Sequence, residues 1–182
     1  MLTIADKVNN GMTTWTKPSQ FFQYAESGGE DVHIIWNNVA DNDSLDRRPL
    51  QTIKPLCHIA RSPKTDLLDT TYYVRATGFN FSAIPDVIQG IELRITARRV
   101  GRVSDDTVQL CLDGVLIGEN QADIIVAPIT HYGSTTSTWA ATNLLAVDLL
   151  NSTFGVDIRF KSHPHWPHRD AASIDAIEMR IY

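Results

Sequence analysis

From about residue 70 to its end, the chain alternates apolar and polar residues in one short segment after another. Ile91, Leu93, Ile95 and Ala97 interleave with Glu92, Arg94, Thr96 and Arg98. Val108, Leu110 and Leu112 interleave with Thr107, Gln109 and Asp113. Phe154, Val156, Ile158 and Phe160 interleave with Gly155, Asp157, Arg159 and Lys161, and Ile177, Met179 and Ile181 close the series. Successive side chains of a strand point to opposite faces, so a period of two predicts strands with one dry and one wet face. Half-buried strands of this kind suit two antiparallel sheets packed face to face. The pattern puts Leu93, Ile95, Val108, Leu110, Val156, Ile158, Ile177 and Met179 in one core, with Arg94 and Lys161 outside. Asp113-Gly114 reads as a tight turn into a short strand at VLIGEN. Helical periodicity is scarce: only TNLLAVDLLN offers a helical turn or two. A parallel βαβ fold is excluded for want of crossover helices.

The first 65 residues read differently. SGGEDV, NNVADND and RSPK are turn-rich, HIIW suggests a strand, and SQFFQYAE a short helix or strand. Phe21, Phe22 and Tyr24 need burial. The expectation is an N-terminal extension over residues 1–65 that packs on other chains, followed by a sandwich over 66–182. On that view, removing the first 30 residues leaves the sandwich folded.

A chain of 182 residues has enough core to fold without staples. Cys57 and Cys111 are far apart and not in metal-ligand spacing; Cys111 sits in a strand pattern as a small buried hydrophobe, and a disulfide between the two stays open. A net charge of −5 argues against nucleic acid, which demands a positive footprint. The N-terminus lacks the basic start and apolar stretch of a signal peptide, and no apolar run reaches the roughly 20 residues of a membrane helix.

Few residues suggest chemistry. His163, His165 and His168 fall within six positions beside Asp170, a possible imidazole–carboxylate metal set. Pro164 and Pro167 restrict the curl that ligation needs, and a stiff solvated hairpin with Trp166 against a surface is the simpler reading. Asp41, Asp43 and Asp46 offer oxygens for calcium but lack the Gly and late Glu of an EF-hand loop. Nucleophile-elbow, zincin and phosphate-loop motifs are missing. The carboxylate pairs open to glycoside hydrolysis, Asp105 with Asp106 or Glu26 with Glu30 and Asp31, look like turns and surface. The chain is therefore not expected to be an enzyme or to hold a cofactor or metal. Arg94, Arg98, Arg99 and Arg102 form a charged face that is solvated or an interface, and Ser134–Thr138 is a polar loop before Trp139. Interface candidates are Phe21, Phe22, Tyr24, Arg98, Arg99, Arg102 and Trp166. Gly90 and Gly155 are expected to mark close backbone approach, not ligands. Asp175 shares by alternation the inward side of Ile177, so it must be satisfied there, with Ser134–Thr138 as the first expected donor.

In order, these segments resemble a module of bacteriophage structural proteins. An aromatic strand precedes an Ile-Pro turn (Ala76–Pro85), followed by an I-x-G-I-x-L-x-I strand (Ile88–Ile95) and a D-x-V-x-L strand (Asp106–Leu110). Then come G-x-x-x-G-x-N-x-A (Gly114, Gly118, Asn120, Ala122), a Gly-Ser-rich loop to Trp139, N-[ST]-x-F-G-V (Asn151–Val156) and V-D-x-[IV], here Ile174–Ile177. The match covers about residues 70–182. Gly78 stands where the pattern carries Asn or Asp, and the HPHWPH hairpin is not part of it. The resemblance implies an all-β, two-sheet antiparallel jelly-roll-like sandwich in the virion of a tailed phage. The expected role is a head decoration or cement protein, bound to major capsid or tail proteins and to copies of itself in a symmetric assembly. The alternatives are a tail, baseplate or fibre-associated part, or a carbohydrate-binding module.

Overall fold

The computed structural model describes residues 13–24, 33–34, 70–71, 73–100, 103–123, 128–162 and 171–182. Ten strands are described: β1 (Gln20–Tyr24), β2 (His33–Ile34), β3 (Thr70–Thr71), β4 (Tyr73–Thr77), β5 (Ile91–Val100), β6 (Val103–Leu112), β7 (Val115–Ile117), β8 (Ile129–Gly133), β9 (Gly155–Ser162) and β10 (Ala171–Ile181). They form two packed sheets. Across the larger one the order is β1–β4–β9–β6–β7. β3 follows β4 along the same strand, β9, and β2 pairs with β3 in parallel, the one departure from antiparallel pairing among the described residues. The smaller sheet is β10–β5–β8. Steps from β4 to β5, β5 to β6, β7 to β8, β8 to β9 and β9 to β10 each change sheet. That traffic gives the jelly-roll-like character, and among the described residues only β6–β7 is a hairpin within one sheet. Its turn is Asp113-Gly114, with φ of +50° and +83°, the positive pair that matches strand twist.

The alternation is realised in the expected register. Leu93, Ile95, Val108, Leu110, Val156, Ile158, Ile177 and Met179 are all buried in one cluster, with Phe79, Phe81, Trp139, Phe154 and Phe160. Gly90 and Gly155 are points of close approach. A Cβ at Gly90 would lie 2.3 Å from the Ser134 carbonyl oxygen, and one at Gly155 1.9 Å from that of Ala76. Buried Trp139 ties the Ser/Thr-rich loop to the small sheet, its Nε1 donating to the Ile91 carbonyl at 2.9 Å.

Three expectations change. Asp105 and Asp106 are not turn residues; they lie inside β6, where the pairing with β9 steps between Asp105 and Thr107. The bulge leaves Asp106 as the extra residue and turns Asp105 inward, where it accepts the Tyr132 phenol at 2.5 Å across the two sheets. A second bulge in β10 falls between Ile174 and Ala176, so Ile174 and Ile177 both face the core. Asp175 is the extra residue there and half-buried, not a member of the inward row. Residues 13–24 also belong to the sandwich itself. Thr13 and Thr16 hydrogen-bond along the outer edge of β10, and β1 pairs with β4 over five residues. The segment thus crosses from one sheet to the other, and the expected division at residue 65 does not separate it from the core. Within TNLLAVDLLN a single 3-10 turn, Asp148–Leu150, forms and buries Leu149.

Candidate interaction surfaces

Two faces and one end of the sandwich carry side chains with recognition chemistry. On the outer face of the small sheet, Glu92 lies opposite Arg180 and Arg94 opposite Glu178. The antiparallel register of two Glu-x-Arg triplets therefore matches each charge with its opposite. Arg180 meets Glu92 at 2.7 Å and Arg94 meets Glu178 at 2.6 Å. Glu92 also accepts from the Tyr182 hydroxyl at 2.7 Å and contacts His131 Nδ1 at 2.9 Å. Burial alone would raise the Glu92 carboxyl. The hydrogen bonds from Arg180, Tyr182 and His131 outweigh it and hold the group down at about 2. Trp15 covers this network, with the Arg94 and Arg180 guanidiniums 4.4 and 4.5 Å from its ring centre and His131 edge-on at 5.8 Å.

The outer face of the large sheet is organised around Asp157. This carboxylate is fully buried and accepts two hydrogen bonds from Arg75 and one from the Tyr24 phenol. Tyr24 stacks on Tyr73 at 5.0 Å, Arg75 lies over Tyr24, and Arg159 lies over Tyr73. Arg159 in turn meets Asp106 at 2.6 Å. Burial pushes the Tyr24 phenol up, and its bond to Asp157 adds to that. The hydrogen bond to Asp157 raises Arg75. Beneath the cluster Cys111 is a free, buried thiol, also raised by burial. Such a group is not poised as a nucleophile.

The third surface is the end formed by β7 and the loop before β9. Leu144 and Leu149 fill the core there, and the tight turns between them leave Leu145, Val147 and Leu150 in water.

The expected site residues distribute as follows. Phe21 packs against the core, Tyr24 is committed to Asp157 and Arg75, and Phe22 is exposed. His163, His165, His168, Trp166, Asp170, Arg102, Cys57, Glu26, Glu30, Asp31 and the Asp41–Asp46 stretch lie outside the described residues, as do the side chains of Arg98 and Arg99. Among the described residues, no group of three His, Cys, Asp or Glu is arranged to hold a metal. Sequence reasoning missed Trp15, His131 and Asp157. The pair of Glu-x-Arg triplets was a usable signal for the small-sheet face, whereas nothing near Trp15 indicates that it folds over Arg94 and Arg180. No family model, curated protein or solved structure matches the chain.

Proposed function

We propose that this chain is a structural component of a tailed-bacteriophage virion: a head decoration or cement protein that stabilises the particle through contacts with major capsid or tail proteins and with further copies of itself. The observation that carries the reading is the ordered series of sequence pieces from Ala76 to Ile177, together with what those residues do in the sandwich. Phe79 and Phe81 stack in the core. Gly90 and Gly155 admit a crossing backbone. Asn120 accepts from the Val108 and Ala122 amides and donates to the Asp106 carbonyl, fastening the stretch after β7 to β6. At Gly78, which departs from the pattern, φ is +70° and a Cβ would lie 2.3 Å from the Ser19 hydroxyl, which donates to the Gly78 carbonyl. The residue types that the pattern requires are those that hold the scaffold together. The work of such a protein then falls to its surface, where contacts vary around a fixed frame.

The test is quantitative mass spectrometry of purified particles from the phage or prophage whose genome encodes the chain. A copy number comparable to that of the major capsid protein is expected. A small multiple of the tail symmetry would move the protein to the tail, baseplate or fibre. Absence from washed particles would defeat the reading.

A further inference from the structure

Eight large hydrophobic side chains are exposed among the described residues, and four of them, Val115 on one face of β7 and Leu145, Val147 and Leu150 on the loop before β9, lie on two neighbouring stretches, while exposed Leu116 points to the opposite face of β7. Scattered exposed hydrophobics are ordinary, but a contiguous group marks a contact. Hydrogen bonds hold these two stretches side by side. Asp113 accepts from Asn151 Nδ2 at 3.2 Å and from Thr153 Oγ1 at 2.5 Å, and the Glu119 amide donates to the Trp139 carbonyl at 2.6 Å. Val147 and Leu150 are 64% and 67% exposed, while their neighbour Leu149 is buried. The apolar tips thus stand on an anchored base.

The charged side chains on or beside these two stretches have one sign: they are Asp113, Glu119 and Asp148, and neither stretch holds a Lys or Arg. Asp113 and Asp148 are hydrogen-bonded to uncharged groups, the former to Asn151 and Thr153 and the latter to the Leu145 amide. Glu119 is exposed on the adjoining stretch. Among the described residues, Arg75 touches the Gly114 carbonyl at 3.1 Å but is occupied by Asp157.

We infer that this end of the sandwich docks on a partner protein whose apolar depression is rimmed by Lys or Arg. Electrostatic complementarity selects such a partner and fixes its register. A two-fold pairing through this end would set the acidic side chains of one copy against those of the other, and an anionic membrane would be repelled. The inference gives the virion reading above a contact surface and a class of partner.

Backbone-amide NMR of the full chain, titrated with an amphipathic Leu–Lys helical peptide and its Leu–Glu counterpart, tests it. The Leu–Lys peptide should move the amides of residues 113–119 and 144–153, and its binding should weaken as salt rises. Leu145→Ser with Val147→Ser, which spares Leu144 and Leu149, should weaken binding at least about ten-fold. If that variant melts early, Asp113→Asn with Glu119→Gln should flatten the salt dependence instead. Equal binding of the Leu–Glu peptide, a footprint elsewhere, or unchanged affinity and salt slope in the variants would overturn the inference. So would adsorption to phosphatidylcholine vesicles through these residues, or self-association abolished by the serine substitutions. A footprint as expected in a chain missing from particles defeats the virion reading alone; the reverse outcome defeats only the docking surface.

Discussion

Asp157 of β9, fully withdrawn from water, holds Arg75 of β4 in a two-point clasp, with Nε and Nη2 at 2.8 and 2.7 Å from its two carboxylate oxygens. The Tyr24 phenol closes on the same carboxylate from β1. A residue read from alternation as solvent-facing is thereby the centre of a polar cluster that joins three adjacent strands. Breaking a buried pair from one side strands the remaining charge, which costs more than the pair contributes. Arg75→Leu should therefore destabilise the protein by roughly 3–5 kcal/mol in urea unfolding. Adding Asp157→Leu to Arg75→Leu should recover part of that loss. A single substitution within about 1 kcal/mol of the native protein would show the clasp to be idle.

The two glycines at strand entrances make a sharper prediction. At Gly155 a methyl group would stand 1.9 Å from a backbone oxygen, and at Gly90 2.3 Å from another. Both opposing atoms belong to main chain held by neighbouring structure, so relief requires moving a strand or the Ser134–Thr135 turn. Either Gly→Ala substitution should cost about 2–4 kcal/mol, with Gly155 the worse. Thermal unfolding of the two variants checks this, and melting temperatures equal to that of the parent would refute the close approach.

The small-sheet face should respond to acid. The Glu92 carboxyl is held at about 2 in the fold against an ordinary value of 4.5. A carboxyl depressed by folding stabilises the native state above its unfolded pKa, and that contribution drains away as pH falls toward the folded value. The loss should therefore accrue between pH 4.5 and about 2. Allowing for solvent screening, it amounts to about 1–2 kcal/mol. Glu92→Gln should remove this part of the acid dependence while leaving stability at pH 3 closer to that of the parent. An identical pH slope in parent and variant would show that the network does not couple to folding.

Periodicity made the core legible because burial follows side-chain parity wherever the strand is regular. Leu93, Val108, Val156 and Met179 obey it. Parity fails at the two bulges, where one inserted residue shifts the pleat: Asp105 turns inward and Asp175 drops out of the inward row. Neither insertion has a signature in the residues themselves, since Asp-Asp and Ser-Ile-Asp-Ala also occur in turns. The outer faces were half legible. Glu92 with Arg94 and Glu178 with Arg180 could be paired once the strands were known to be antiparallel neighbours. Trp15 depends on a contact across more than 70 positions of sequence with Arg94, beyond the reach of any local pattern. Of the N-terminal aromatics expected to need burial, Phe21 and Tyr24 find it within their own chain, on the core and on Tyr73 and Asp157, whereas Phe22 stays exposed.

That last point sets the expectation for truncation. Residues 13–24 supply backbone bonds to Ile181 and Met179, the Thr13 hydroxyl that accepts from the Ile181 amide, the Trp15 cover over Arg94 and Arg180, and the whole of β1. Removing them exposes the outer edge of β10, uncovers Phe21's contacts with the core and leaves Asp157 without its phenol partner. Native stability is only about 5–15 kcal/mol, and the loss of an edge strand and a second paired segment consumes much of it. A chain starting at Ala25 should therefore unfold at markedly lower urea or without a cooperative transition. Trp15→Ala alone should cost about 1–2 kcal/mol, from two cation–π contacts and the desolvation of the Glu92 network. Urea unfolding followed by circular dichroism separates the cases. If the truncated chain keeps the midpoint of the full chain, residues 13–24 are an appendage and the sandwich is complete without them. If it loses the transition while Trp15→Ala shifts the midpoint modestly, the segment is a strand of the fold that joins the two sheets.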